Sequence, residues 1–469
     1  IDVRTPFWGG KDRAIIIAEW LAEFKKLNVE KQFPGLYDYE MEQKDKIGPM
    51  SVMQPLSARL ESIKDYYIAR PSVPISQEAI NLTIKWLSPL KGIRLRSREN
   101  TVAKMRLSTN SGSPFFTVRN RTLDKMDIAE TYPYAAVLGW RGQEGGIELD
   151  DVKQRVIWMM PFLLNIKELQ FYQPFIEGVQ KHGLIPAYVS LDAVSRSVTN
   201  LFDSKHKDDF AICTDFSKFD NSIGPDLQDA SRQVIYEIST TSKEMDTWLS
   251  EVYPVKYNIP LICSEDIMFT GPHGMGSGSG GTNADESIQH KALQFEAALE
   301  AGQQLNPFSL AYGDDGLLTY PGITPEQVIA AYTKHGVSMN ADKQYVSKTD
   351  AIVLRRWYST AYRRDGLMLG VYPTFRALGR LMSQERFYDP RKWGPEIVTL
   401  RAWSILENCN ESPYFETFVK FVMKGDKYRL GLDIPGFIDG IDKRVREATD
   451  LVPDFLGYTR SQMDQRGIR

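Results

Sequence analysis

Two aspartates stand side by side in F-S-L-A-Y-G-D-D-G-L-L-T-Y, residues 308–320. Adjacent carboxylates repel each other, and in a half-buried site that repulsion is costly unless cations neutralise it. Two more carboxylates come from D-F-S-K-F-D, where Asp215 follows the short apolar run 210–214 and Asp220 lies five residues on, near enough to serve the same site. The spacing is not that of an EF-hand, whose third and fifth loop positions would here be Ser217 and Phe219. Lys153 and Arg155, two residues apart in a run that alternates cationic and apolar side chains, point the same way on a strand and could grip a triphosphate. Each piece has an ordinary reading as well: Asp-Asp-Gly as a solvated turn, Lys-Gln-Arg as an exposed strand face.

The elements that must position these groups are legible around them. Apolar or aromatic residues at Phe308, Leu310 and Tyr312, then at Leu317, Leu318 and Tyr320, flank an Asp-Gly pair, which reads as a hairpin with both carboxylates at its tip. Upstream, G-P-H-G-M-G-S-G-S-G-G-T-N (271–283) contains a literal GxGxxG, but no acid ends a second strand as a dinucleotide fold requires, and no GK[ST] follows. Thr282 to Asp285 reads as a capping-box-like helix start with Asp285 and Glu286 in the first turn, and Ile288, Ala292, Phe295 and Leu299 carry the helix to about residue 301. A glycine loop whose backbone can approach a substrate closely thus opens a long helix just before the hairpin. Further helices are expected over 13–27, 76–87, 226–239 and 324–335, and a strand over 351–354. Small polar residues fill 108–114, a loop that can contact a nucleic-acid backbone and is as often only a turn.

The whole chain bounds these readings. Its 469 residues suggest about three subdomains, and 42% hydrophobic with 25% charged residues is ordinary for a globular protein. No apolar run approaches the ~20 residues of a membrane span, so no membrane is expected. Three scattered cysteines without CxxC spacing argue against a disulfide framework or a zinc site, and the five histidines show no HExxH spacing. The first residues carry no secretory signal and no initiator Met, which reads as a chain trimmed from a longer one. Net charge is only −3, yet residues 85–125 hold ten basic side chains, among them Arg94, Arg96, Arg98, Lys104 and Arg106, against Glu99 and Asp124. Such a segment suits a phosphate-tracking channel or a solvated face.

Taken together and in this order, D-F-S-K-F-D, S-G-S-G-G-T-N, A-Y-G-D-D-G and the later Lys343 resemble motifs A, B, C and D of viral RNA-dependent RNA polymerases. Lys153 and Arg155 resemble motif F, Ser111-Gly112 sits where motif G would, and Leu354-Arg-Arg-Trp-Tyr358 resembles motif E. Each motif alone is weak; the ordered set is highly specific. Within the family the resemblance is to enzymes of double-stranded RNA viruses of the partitivirus–picobirnavirus group, picobirnavirus most of all. One position departs from many members: four residues after Thr282 stands Glu286, where they carry an asparagine that helps recognise the ribose.

The resemblance implies an α+β right-hand fold, with an antiparallel palm sheet backed by helices and largely helical fingers and thumb. Residues 1–205 would form an N-terminal extension and fingers, 206–370 the palm with a finger insertion near 240–270, and 371–469 the thumb. It implies template-directed RNA synthesis for replication and transcription of a double-stranded RNA genome, with two Mg²⁺ ions (Mn²⁺ as substitute) held by Asp215, Asp314 and Asp315. Oxygen-only ligands suit those metals and not zinc. Lys153 and Arg155 would hold the triphosphate, Asp220 the ribose, and Lys343 would protonate the leaving pyrophosphate. Ser277, Gly278, Thr282 and Asn283 would contact substrate, and Ser111, Gly112 and the basic segment the RNA. A viral capsid protein is the implied partner, with the virion interior and host cytoplasm as location. The alternatives are a reverse transcriptase, against which Asp220 argues by favouring ribonucleotides, and a silent capsid-associated RNA-binding protein.

Overall fold

Strands β1 (Ala136–Gln143), β2 (Lys153–Met159), β3 (Ala211–Thr214), β4 (Leu261–Ile262), β5 (Met268–Phe269), β6 (Leu310–Tyr312), β7 (Asp315–Leu318), β8 (Tyr345–Ser347), β9 (Asp350–Val353) and β10 (Arg356–Ser359) frame the molecule. They are seen in a computed structural model that describes residues 1–444 and 446. The end of the expected unit 371–469, residues 445 and 447–469, lies outside the described residues. A four-stranded sheet in the order β6-β7-β3-β8 is antiparallel throughout. Its side chains alternate between two cores, as the pleat requires. Ile212 and Leu318 enter the largest core with Ile288 and Ala292, whereas Cys213, Leu310 and Leu317 face Val194, Val198 and Leu201 of the helix Leu191–Ser204.

Behind this sheet runs the helix Thr282–Glu300. Fourteen of its nineteen residues are buried, and eight of those are polar, so its burial depends on partners for each of them. Gln289 Nε2 bonds Ser231 Oγ at 2.9 Å, Gln294 Nε2 bonds Leu310 O at 2.7 Å, and Glu296 Oε2 accepts from Ser76 Oγ at 2.6 Å. Lys291 Nζ donates to Ser309 O at 2.7 Å, and burial lowers its pKa to about 7.

The other expected helices form, with signals at their starts that the chain carries locally. Arg13–Lys25 is capped by Asp12, Gln77–Trp86 by Ser76, and Pro325–Thr333 by a Thr324–Gln327 capping box; Pro225–Ile238 takes Pro at its first turn. A second sheet, β2-β1-β4-β5, pairs β1 and β2 antiparallel with Arg155 opposite Arg141 and Lys153 opposite Gln143. The first forty residues share a separate core with Phe375, Leu378 and Phe418, where Trp20 lies 5.0 Å from the Phe418 ring. The chain then crosses to the β1–β2 hairpin, where Gly48 N donates to Gly145 O at 2.9 Å and Gln54 Nε2 to Val152 O at 2.8 Å. All three cysteines are free, and no helix among the described residues is long and apolar enough to cross a membrane.

Candidate active site

The β3–β7 register pairs Thr214 with Gly316, so Asp215 stands one residue beyond the ladder, beside the β6–β7 turn. That turn falls on Gly313 and Asp314, closed by the pair Tyr312–Asp315, and not on the Asp-Gly dipeptide. Two causes move it. Gly313 supplies the positive φ (60°) that the first central position of a two-residue turn can use. Gly316 is needed inside β7, where a Cβ would come within 2.4 Å of the His290 ring and 2.8 Å of Thr214 Oγ1. Asp314 therefore takes the tip, while Asp315 begins a strand.

The two neighbours then meet different surroundings. Asp315 Oδ2 accepts from Leu354 N at 2.7 Å, in the β9–β10 turn whose two central residues, Leu354 and Arg355, both have positive φ (52° and 63°). Burial, reinforced by the Asp314 charge, pushes the Asp315 carboxyl up to about 7. Asp314 is also held above the usual carboxylate range, by burial, then Asp220 and, more weakly, Asp215, with Arg155 opposing. Asp215 is raised by burial against the pull of Lys343 and Lys46. Its backbone is fixed by a side chain that takes a strand's place: Asp215 N donates to Gln344 Oε1 and Gln344 Nε2 to Asp215 O, each at 2.8 Å.

Three carboxyls that burial holds above their ordinary range, two of them also raised by a neighbouring aspartate, favour a cation beside them, and oxygen donors fit a hard divalent ion. Among the described residues no three such side chains converge as a closed metal cage.

The glycine loop 276–281 presses against β2. A Cβ on Gly278 would lie 1.7 Å from Trp158 O, and Ser277 Oγ is 3.4 Å from both Trp158 N and Val156 O. Beneath the loop, buried Glu168 accepts from Ser279 Oγ and from Gly280 N. Thr282 Oγ1 turns back into the loop, 3.2 Å from Ser279 O. The expected capping box does not form: the N-cap is Gly281, with no side-chain cap bond. Asp285 is drawn inward instead, where it accepts from Tyr172 OH (2.5 Å) and Tyr257 OH (2.7 Å) and pairs with Lys256 (3.0 Å). A buried carboxylate with three donors outweighs a surface cap worth about 1 kcal/mol. Gly278→Ala must separate the loop from β2, and a displacement of that size is expected to slow the reaction at this site about 10²-fold with the folded state retained, read by single-turnover kinetics and far-UV circular dichroism.

Asp220 opens the short helix Phe219–Ser222 and faces the same region, since its charge acts on Asp314. Its neighbour is Glu286, which is buried and raised well above the carboxylate range, first by burial and then by the charge of Asp220 and its side-chain contact with it. The departure four residues after Thr282 therefore belongs to the site. Asn283 Oδ1 accepts from Tyr188 OH at 2.5 Å and Ser287 Oγ at 3.2 Å, so its carbonyl end is already engaged.

The cations divide in two groups. Arg155 acts on Asp314, with Lys153 two residues along the same exposed strand face; Arg141, opposite Arg155, is a third cation that single-strand reading missed, and it pairs with Glu385 at 3.2 Å. The basic segment is largely engaged internally. Arg96 and Lys104 both pair with Glu177, Arg98 pairs with Glu130, and Arg106 Nε donates to Ser108 Oγ, while Arg94 has no ion-pair partner among the described residues. Ser111 is buried, its Oγ accepting from Thr117 N, and Gly112 lies with φ 63° against Met160 O. Ser108 and Asn110 of this loop, and Phe116 just beyond it, are exposed.

Comparison with known proteins follows the same lines. The family described as viral RNA-dependent RNA polymerase matches residues 145–417. A protein of human picobirnavirus (strain Human/Thailand/Hy005102/-), described as a potential RNA-dependent RNA polymerase, is 49% identical over 98% of this chain and 88% of its own length. The crystal structure of the RNA-dependent RNA polymerase of a human picobirnavirus superposes with a TM-score of 0.91 at 47% identity, covering 98% of this chain and 89% of that one. Its insertion-loop deletion mutant gives 0.91 at 45%, covering 99% and 94%.

Proposed function

The chain belongs to the viral RNA-dependent RNA polymerases, and from that premise we propose that it joins ribonucleotides at the Asp215–Asp314–Asp315 cluster with two divalent cations, Mg²⁺ or Mn²⁺. The observation that carries this reading is the meeting of four carboxyls from two motifs, three of them held above their ordinary range by burial and two of those, Asp314 and Asp315, also by a neighbouring aspartate. Asp215 and Asp314 would hold the cations, with Asp315 supporting the second. Held by these residues, the cations would supply charge neutralisation for the triphosphate and activation of the attacking 3′-hydroxyl. Arg155 and Lys153 neutralise the triphosphate from the opposite side. Asp220 accepts from the ribose hydroxyl, and Lys343 delivers a proton to the departing pyrophosphate. A capsid protein as partner, with the virion interior and host cytoplasm as location, is part of the same reading.

The test is ribonucleotide incorporation on a single-stranded RNA template, with Mg²⁺, with chelator, and with deoxynucleotides in place of ribonucleotides. Complementary RNA made with the metal and lost with chelator is the expected result. Preference for deoxynucleotides would instead favour a reverse transcriptase. Tight RNA binding without synthesis, even when capsid particles are added, would favour a silent RNA-binding protein.

A further inference from the structure

His290 sits in the middle of the helix Thr282–Glu300 with no solvent exposure. Its Nδ1 lies 2.9 Å from Gly313 O, and because a carbonyl only accepts, Nδ1 carries the proton. The bare Nε2 then accepts from Thr214 Oγ1 at 3.2 Å. Burial holds the imidazole pKa down at about 4, so near neutral pH the ring keeps one donor and one acceptor.

The two partners are the residues immediately before Asp215 and Asp314. One imidazole thus grips the strand that delivers the first carboxylate and the turn that delivers the second. Ser287, one turn earlier on the same helix, accepts from Gly313 N at 2.9 Å, so that residue is held at both its N–H and its C=O. Space for the ring is cleared by Gly316, and Phe216 at 5.0 Å and Tyr332 at 5.9 Å stand edge-on to it. The ring is not exposed, and nothing in the proposed chemistry uses it.

We propose that His290 is a positioning residue that sets the separation of Asp215 and Asp314 by tying Thr214 to Gly313. The inference rests on the reading of those two carboxylates as cation ligands. Two cations must lie at a fixed spacing for in-line transfer, and a strand and a turn joined only by the ladder leave that spacing free to drift.

His290→Phe keeps a ring of similar size and loses both bonds; Thr214→Val, an isosteric change in a strand, loses only one. Each variant is tested by Mn²⁺ titration, followed by electron paramagnetic resonance on the complex with RNA and a non-hydrolysable nucleotide, beside template binding and thermal unfolding. His290→Phe is expected to weaken Mn²⁺ binding about tenfold, in line with loss of groups that orient metal ligands, to raise the Mg²⁺ requirement for synthesis in parallel, and to leave RNA affinity unchanged. Thr214→Val alone should fall between, and the double variant should be no worse than His290→Phe. Mn²⁺ binding in His290→Phe equal to the parent's, or additive effects of the two substitutions, would overturn the proposal. A parent complex that binds no Mn²⁺ would overturn the two-cation reading itself, a separate and distinguishable failure.

Discussion

Asp315→Asn is expected to lower RNA synthesis about 10³-fold and, in the metal-free protein, to raise resistance to unfolding at pH 8. The first effect follows from removing a carboxylate beside the cations, where several kcal/mol of transition-state stabilisation are at stake, about 4 kcal/mol corresponding to that loss of rate. The second follows from linkage. Folding raises the Asp315 carboxyl from 3.8 to about 7, through burial and then Asp314. Between those values the native chain holds a proton that the unfolded chain has released, so stability falls as pH rises through this window and the penalty is complete above about 7. Asparagine keeps the shape and still accepts from Leu354 N, but carries no charge. The gain is at most about 4 kcal/mol, less in proportion to solvent screening, with a smaller gain at pH 5 than at pH 8. Thermal unfolding at the two pH values, with and without Mg²⁺, checks this. A destabilised variant, or a gain independent of pH, would sink the account of Asp315.

Asp285→Ala is expected to cost about 3–5 kcal/mol of stability, the range for removing one partner of a buried ion pair. Lys256 and Asp285 are both fully buried, 3.0 Å apart. Lys256 Nζ also donates to Tyr253 O at 2.6 Å and lies 3.7 Å from the Tyr253 ring centre. Deleting the carboxylate would leave that ammonium without its counter-charge and the Tyr172 and Tyr257 hydroxyls without their acceptor. The joint replacement Lys256→Met with Asp285→Leu should recover much of the loss, because desolvating two charges offsets most of their attraction. Urea unfolding of both variants separates the cases, and a single variant that loses less than about 1 kcal/mol would show that the pair does not anchor the helix start.

The carboxylates were legible in the chain because their spacing and order are local facts. What was not legible came from distant partners. The turn rule placed the hairpin on Asp-Gly, since nothing near residue 316 announces that its glycine makes room for a histidine twenty-six positions earlier. A charge count of the basic run 85–125 cannot see Glu130 and Glu177, which pair with Arg96, Arg98 and Lys104. Capping chemistry claimed Asp285 until Lys256 and two tyrosines outbid it. Hydropathy patterning found the helix 282–301 through Ile288, Ala292, Phe295 and Leu299, but assigned no role to the polar residues between them, which carry most of its bonds. Nor does any local pattern show that the first forty residues share a core with Phe375 and Phe418.

A helix bonded to different partners on every side tolerates exchange far better than change of length. One residue inserted between Asp285 and His290 turns everything after it by about 100° and advances it about 1.5 Å. His290 would then leave Gly313, Gln294 would leave Leu310 O, and Glu296 would leave Ser76 together. Substitutions that keep a donor or an acceptor disturb one bond; a gap or an insertion disturbs them all at once. Among naturally diverging copies of this gene, length variation should therefore collect in surface loops and stop short of the stretch from Gly276 to Glu300.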